Sequence, residues 1–249
     1  MTELLAFEWR RMRSLRGTWV LLGLAVGFAL LADLAVGLGR FRGPLDAEDL
    51  AVQVVQRDLM VRWLVAAGIG AQAFGHDFRY GTIRPTLLAF PRRGQLLAGK
   101  VMAASLVGAA AALAASVASL ALLLGLTGWD AGLVTDPRLW RSIALGVVTA
   151  GLVAALAVGL AALTRGSGLA VVLIVLWAGV VEPLMVVGLG GGAARVLPFL
   201  SLLQLTAYTP LFQDLGSAGP LTWAVFPLYL TVVLTTAAIA LARRDATTS

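Results

Sequence analysis

"RRGQLLAGKVMAASLVGAAAALAASVASLALLLGL", residues 92–126, decides the fold. Beyond Lys100 it carries no charge before Asp130, and its apolar run from Leu96 to about Leu126 exceeds the ~20 residues that a helix needs to cross a hydrocarbon core. Alanine and leucine dominate it, both strong helix formers. Its first residues nevertheless hold Gly94, Gly99 and Lys100 at the G-x-x-x-x-G-K spacing of a phosphate-binding loop. Such a loop needs a buried strand before it, a helix after it and a hydroxyl to hold magnesium. Here "TLLAFPRR" (residues 86–93), broken by Pro91, precedes the helix, Val101 stands where the hydroxyl belongs, and no βαβ alternation exists anywhere in the chain. The glycines and the lysine open a membrane helix; they do not hold a nucleotide.

The rest of the chain agrees. Apolar residues make up 59% of 249 positions, charged residues 13%, and mean hydropathy is +0.91. Soluble domains are nearer half apolar and a quarter charged, so lipid must be part of the solvent. Cysteine is absent and His76 is the single histidine, which excludes disulfides, thiolate metal sites and a zinc protease centre. An intramembrane serine protease fails as well, since His76 falls at the edge of the bilayer. The net charge of +6 does not point to nucleic acid, because the basic residues sit between apolar runs, as membrane orientation requires.

Six spans are expected: Gly17–Leu38, Asp58–Phe74, Leu96–Leu126, Trp140–Leu163, Gly168–Leu189 and Leu221–Ala242. The first is longer than a signal-peptide core and no small-residue cleavage site follows it, so it is read as retained. The second is the weakest, being short and carrying Arg62, with a start near Leu50 as the alternative. Arginines concentrate in the N-terminal segment (Arg10, Arg11, Arg13, Arg16) and in the loop 75–95 (Arg79, Arg84, Arg92, Arg93), with Arg165, Arg243 and Arg244 on the same face. The positive-inside rule therefore places both termini in the cytoplasm of a multi-pass protein of the cytoplasmic membrane. Trp63, Trp129, Trp140 and Trp223 fall near outer ends and Trp19 near an inner end. Small residues four apart (Gly23 and Gly27; Gly151, Ala155 and Gly159) predict close helix packing, within the bundle or against a second copy. The chain reads as one transmembrane domain, residues 1–249.

The loop 75–95 holds the sharpest local signal, "GHDFRYGTIRPTLLAFPRRGQ". Gly81 permits a turn, Thr82 can cap a short helix, and Pro85 is tolerated in its first turn. That helix, Ile83 to Phe90, must end before Pro91. It is an apolar plug (Ile83, Leu87, Leu88, Phe90) flanked by Arg79, Arg84, Arg92 and Arg93. The plain alternative is a basic loop that only enforces topology.

The stretch from His76 to Lys100 is similar to the cytoplasmic loop of ABC-2 type permeases, the membrane subunits of ABC exporters. Asp77, Gly81, Thr82, Pro91, Arg93 and Lys100 match its pattern in order, with Asp77 where the family commonly has glutamate. The six spans, the N-terminal segment and the interrupted stretch before the last span extend the resemblance along most of the chain. It implies a coupling helix between spans two and three that seats in an ATPase subunit, with Asp77, Arg79, Gly81, Thr82, Arg84, Leu87, Phe90, Pro91, Arg92 and Arg93 forming the coupling site. It also implies a second permease subunit, homologous or identical, and substrate passage between the two. ATP and magnesium would belong to the partner ATPase; the chain would hold no cofactor or metal and catalyse nothing itself.

Residues 1–16 read as an amphipathic helix in the cytoplasmic interface, with Leu5, Trp9, Met12 and Leu15 on one face and Leu4 and Phe7 outside it. The family's connecting helix looks similar. Asp33, Arg62 and Glu182 fall within spans at comparable depth in the outer leaflet, where unpaired charges are costly. Arg62 is therefore expected to pair with Asp33, Glu182 or both. Residues 190–220, with Pro198, Pro210 and Pro220 among apolar residues, read as short helices dipping into the outer leaflet, a re-entrant region on the extracytoplasmic side. Lys100 is expected to snorkel toward headgroups. The rival functions are a proton-coupled secondary carrier using Asp33 or Glu182, for which no internal repeat is visible, and a structural membrane protein.

Overall fold

A computed structural model describes residues 2–37, 58–127, 135–206 and 219–243. Within them every regular element is helical. In chain order they are α1 (Thr2–Ser14), α2 (Arg16–Gly37), α3 (Leu59–Arg79), α4 (Ile83–Ala89), α5 (Arg93–Thr127), α6 (Pro137–Thr164), α7 (Ser167–Leu189), a 3₁₀ turn (Gly191–Arg195), α8 (Pro198–Leu205) and α9 (Pro220–Arg243). Five helices are long and apolar enough to cross a membrane: α2, α5, α6, α7 and α9. The chain is thus a multi-pass membrane protein by length and composition. The expected second span corresponds to α3, which is not among the five; it carries Arg62, His76, Asp77 and Arg79 and runs five residues past Phe74.

The helix ends follow local chemistry. Asp136 accepts the Arg138 amide at 2.8 Å and Pro137 occupies the first helical position, so α6 begins there. It stops where Arg165 turns into the left-handed region (φ 55°) ahead of Gly166. Within α7 the ladder widens by one residue over Trp177–Val181, with Glu182 N–H donating to Trp177 O. Pro183 lies immediately beyond and has no amide to offer its own turn, so a π-bulge takes up the mismatch. Several hydroxyls inside the helices bond back to the preceding turn, as in Thr164 to Leu160 O (2.8 Å) and Thr231 to Pro227 O (2.7 Å).

The core is built around α3 and α6. Gly70 of α3 meets Ala154 of α6 so closely that a Cβ on it would stand 2.1 Å from the Ala154 carbonyl oxygen. Ala66, Ile69, Ala73, Val153, Ala157 and Ala161 bury themselves along the same seam. On its other side α6 receives α5 at Gly151 (3.3 Å from Ser105 O to an added Cβ) and α9 at Gly159 (2.9 Å to Val233). Close packing expected of the fourth span is therefore present. The same expectation fails among the described residues for Gly23 and Gly27, where an added Cβ would meet no other helix within 4 Å. Helices α2, α7 and α9 line the outside, presenting residues such as Leu24, Leu173 and Leu228 to the surroundings. Trp19, Trp140 and Trp223 are exposed, as interfacial anchors must be, but Trp63 is buried and donates to Thr149 at 2.9 Å. Trp129, Arg40, Arg42, Arg57, Pro210, Arg244 and residues 207–218 of the expected re-entrant region lie outside the described residues.

Candidate functional site

Helix α3 ends at Arg79, Gly81 turns the chain with φ +67°, and α4 follows for two turns before Pro91. The loop helix thus forms where expected, one residue shorter than Ile83–Phe90. Thr82 does not cap it. Its hydroxyl instead donates to Asp77 Oδ1 at 3.0 Å, because Asp77, two residues inside the end of α3, presents a stronger acceptor than a helix amide presents as a donor.

Asp77 is the centre of a buried charge cluster. Lys100 Nζ lies 2.7 Å from Asp77 Oδ2 and 2.7 Å from Glu8 Oε1, and donates to Ala73 O at 2.9 Å. Three donors meet three acceptors, so the ammonium is fully satisfied. The Phe74 ring sits 5.1 Å from Nζ and adds a cation–π contact. Arg11 bridges the same two acids, at 3.1 Å to Glu8 Oε2 and 3.1 Å to Asp77 Oδ1, and also donates to Ala73 O. Two acids and two bases alternate, with Lys100 at 0%, Glu8 at 1% and Asp77 at 2% side-chain exposure. Lys100 therefore does not snorkel. Internal carboxylates reach it first, and burial there excludes headgroups.

The cluster reorients α1 as well. Its buried stripe is Leu4, Glu8 and Met12, while Phe7 and Trp9 are exposed, so the face expected from Leu5, Trp9 and Met12 is turned toward Leu4. Leu4 fills the space over Gly99, where an added Cβ would come within 2.5 Å of it. The i, i+4, i+8 spacing of Leu4, Glu8 and Met12 was the available signal: an acid in line with two apolar residues needs a buried cation. Glu8 and Arg11 are the functional candidates that sequence reasoning missed.

The remaining loop residues divide by exposure. Arg79, Arg84, Pro91 and Arg92 are exposed, Arg79 lying 5.8 Å over the Tyr80 ring. Leu87 and Phe90 are half-buried, Phe90 meeting Phe7 of α1 at 5.7 Å between ring centres. Leu88 is 85% exposed at the tip of α4. Arg93 reaches the opposite way and donates to Leu241 O at the end of α9 at 2.5 Å, a cation on a helix C-terminus. Between α1 and the α4–α5 corner, Glu3, Leu4, Phe90, Arg92 and Gln95 line a groove of about 300 Å³. Beside the cluster His76 is held below its ordinary pKa, chiefly by burial and then by the Arg11 and Arg79 charges.

The three acids and bases placed within spans are not one cluster. Arg62 pairs with Asp58, one turn earlier on its own helix, its Nε 2.6 Å from Asp58 Oδ2, and it also donates to Ser116 of α5. A partner at i−4 needs no other helix to move, so neither Asp33 nor Glu182 is recruited. Glu182 accepts the Phe199 and Leu200 amides at 2.9 and 2.7 Å and so caps α8. Asp33 is buried elsewhere, on α2. Next to the π-bulge, Trp63, Ile174, Gly179, Phe199 and Leu203 line an apolar cavity of about 340 Å³. Replacing Glu182 with leucine should orphan two buried amides and cost about 2–6 kcal/mol in micelle unfolding, at about 1–3 kcal/mol for each amide. Glutamine, which keeps one acceptor, should cost roughly half.

No known protein family matches the chain, and no curated protein matches it. The likeness to ABC-2 type permeases therefore stands on the residues quoted above.

Proposed function

We propose that the chain is the membrane subunit of an ABC-2 type exporter, moving its substrate with ATP hydrolysed by a separate subunit. The observation that carries this reading is α4, a two-turn helix standing off the bundle with an exposed Leu88 among Arg79, Arg84 and Arg92, its root fixed through Asp77. A loop that only enforced topology would need the arginines and not a buried anchor. On this reading α3 is the sixth span, with its Arg62 neutralised by Asp58. Both termini and α4 are cytoplasmic by the arginine distribution, and residues 190–220 lie on the far side of the cytoplasmic membrane. ATP and magnesium sit on the ATPase, and a second permease subunit completes the pathway. The secondary-carrier alternative is weakened at Glu182, whose two oxygens are engaged by backbone amides.

Co-purification from mild detergent tests the proposal. Wild type should retain an ATPase subunit, and Leu88→Asp, at a position that packs on little, should lose it while unfolding at the same denaturant concentration. Transport that persists with ATP exhausted and a proton gradient intact would overturn the reading in favour of a carrier.

A further inference from the structure

We propose that Glu8 is a positioning residue for α4, acting through Lys100 and Arg11 on Asp77. Its meaning for coupling rests on the function proposed above; the positioning itself does not. Asp77 joins two sets of contacts: the cations of the cluster on one side and the Thr82 hydroxyl, which begins α4, on the other. Each cation is shared between Asp77 and Glu8. With Glu8 replaced by neutral glutamine, Lys100 and Arg11 each lose one of their two acids, and the one oxygen that remains can serve only one of them fully. Both then bear on the Asp77 carboxylate, and Arg11 already contacts Oδ1, the oxygen that Thr82 uses. Thr82 is the weakest of the three donors and is displaced. Phe7, beside Glu8 in the middle of α1, meets Phe90 at the other end of α4, so α1 braces the loop helix at both ends. An N-terminal helix that crosses nothing itself thereby sets where α4 stands.

Hydrogen exchange on the full chain in lipid nanodiscs tests this. Glu8→Gln should raise exchange across residues 83–90 by roughly tenfold or more, the scale of a lost charge-assisted hydrogen bond, while amides in α6 keep their protection. The double variant Glu8→Gln/Lys100→Met removes one charge of each sign, leaves Arg11 with Asp77, and should recover most of the protection at 83–90. Unchanged exchange at 83–90 in Glu8→Gln would overturn the proposal. So would loosening spread equally through α5 and α6, which would mark Glu8 as a general stabiliser, and so would a double variant no better than the single. ATPase retention supplies a second arm. Loss of the ATPase in Glu8→Gln together with a loosened α4 supports a role in coupling, whereas full retention with a loosened α4 overturns that role. A wild type that retains no ATPase defeats the docking function alone, since the exchange result still decides positioning.

Discussion

Lys100→Met should lower the unfolding free energy by about 3–5 kcal/mol, the range found when one partner of a buried ion pair is removed. Methionine nearly matches the lysine stem, so little of the loss comes from packing. The loss comes from Glu8 and Asp77, both almost fully buried, which would share Arg11 as their remaining cation. Adding Glu8→Gln removes the surplus negative charge, so the pair of changes should cost less than the sum of the two single ones, by about 1–3 kcal/mol of coupling. Denaturant titration in micelles, followed by the helical signal, reads all three variants. A loss below about 1 kcal/mol for Lys100→Met, the scale of a solvent-exposed pair, would mean that water reaches the cluster and that α1 does not seal it.

Much of this fold was legible from local pattern. The apolar runs place α2, α5, α6, α7 and α9 within a few residues of their ends, since a membrane helix must satisfy its backbone internally and its termini are marked by Pro137, Gly166 and Pro220. Sequence spacing also located α4 and singled out Thr82, while Asp77 came only from the resemblance to ABC-2 type permeases. What it could not show was who faces whom. Lys100 at the start of a span has two physical solutions, headgroups or an internal acid, and hydropathy does not choose between them. The choice depends on Glu8, some ninety residues away on a helix whose moment is blurred by Phe7 and Trp9. Glu182 shows the same limit in another form. A buried acid in a span reads as a charge seeking a charge, yet both of its oxygens accept from the Phe199 and Leu200 backbone amides, and such partners carry no side-chain signature. The one clue was Pro198, a residue suited to the first position of a helix whose next amides then need an acceptor. Arg62 was the reverse case. Its partner Asp58 lies four residues away in the same run, so no pairing across spans is needed.

Gly70→Val should cost at least about 3 kcal/mol, at or beyond the upper end of ordinary overpacking. An added Cβ at Gly70 meets the Ala154 carbonyl oxygen at 2.1 Å and its carbon at 2.9 Å, both main chain. Backbone in mid-helix cannot rotate aside as a side chain would, so α3 and α6 must separate, and the seam from Ala66 to Ala161 opens with them. Gly23→Ala and Gly27→Ala, at the four-residue spacing that signals close packing most plainly in the sequence, should instead be neutral or stabilising by up to about 1 kcal/mol, because alanine favours the helix and nothing stands within 4 Å. Thermal unfolding of the purified chain separates these outcomes, provided it is monomeric in the micelle used. Ala154→Gly discriminates further. It removes a side chain that is not the obstacle, so it should fail to rescue Gly70→Val. Rescue would mean that α3 approaches α6 through the Ala154 methyl, at a wider helix separation than the one described.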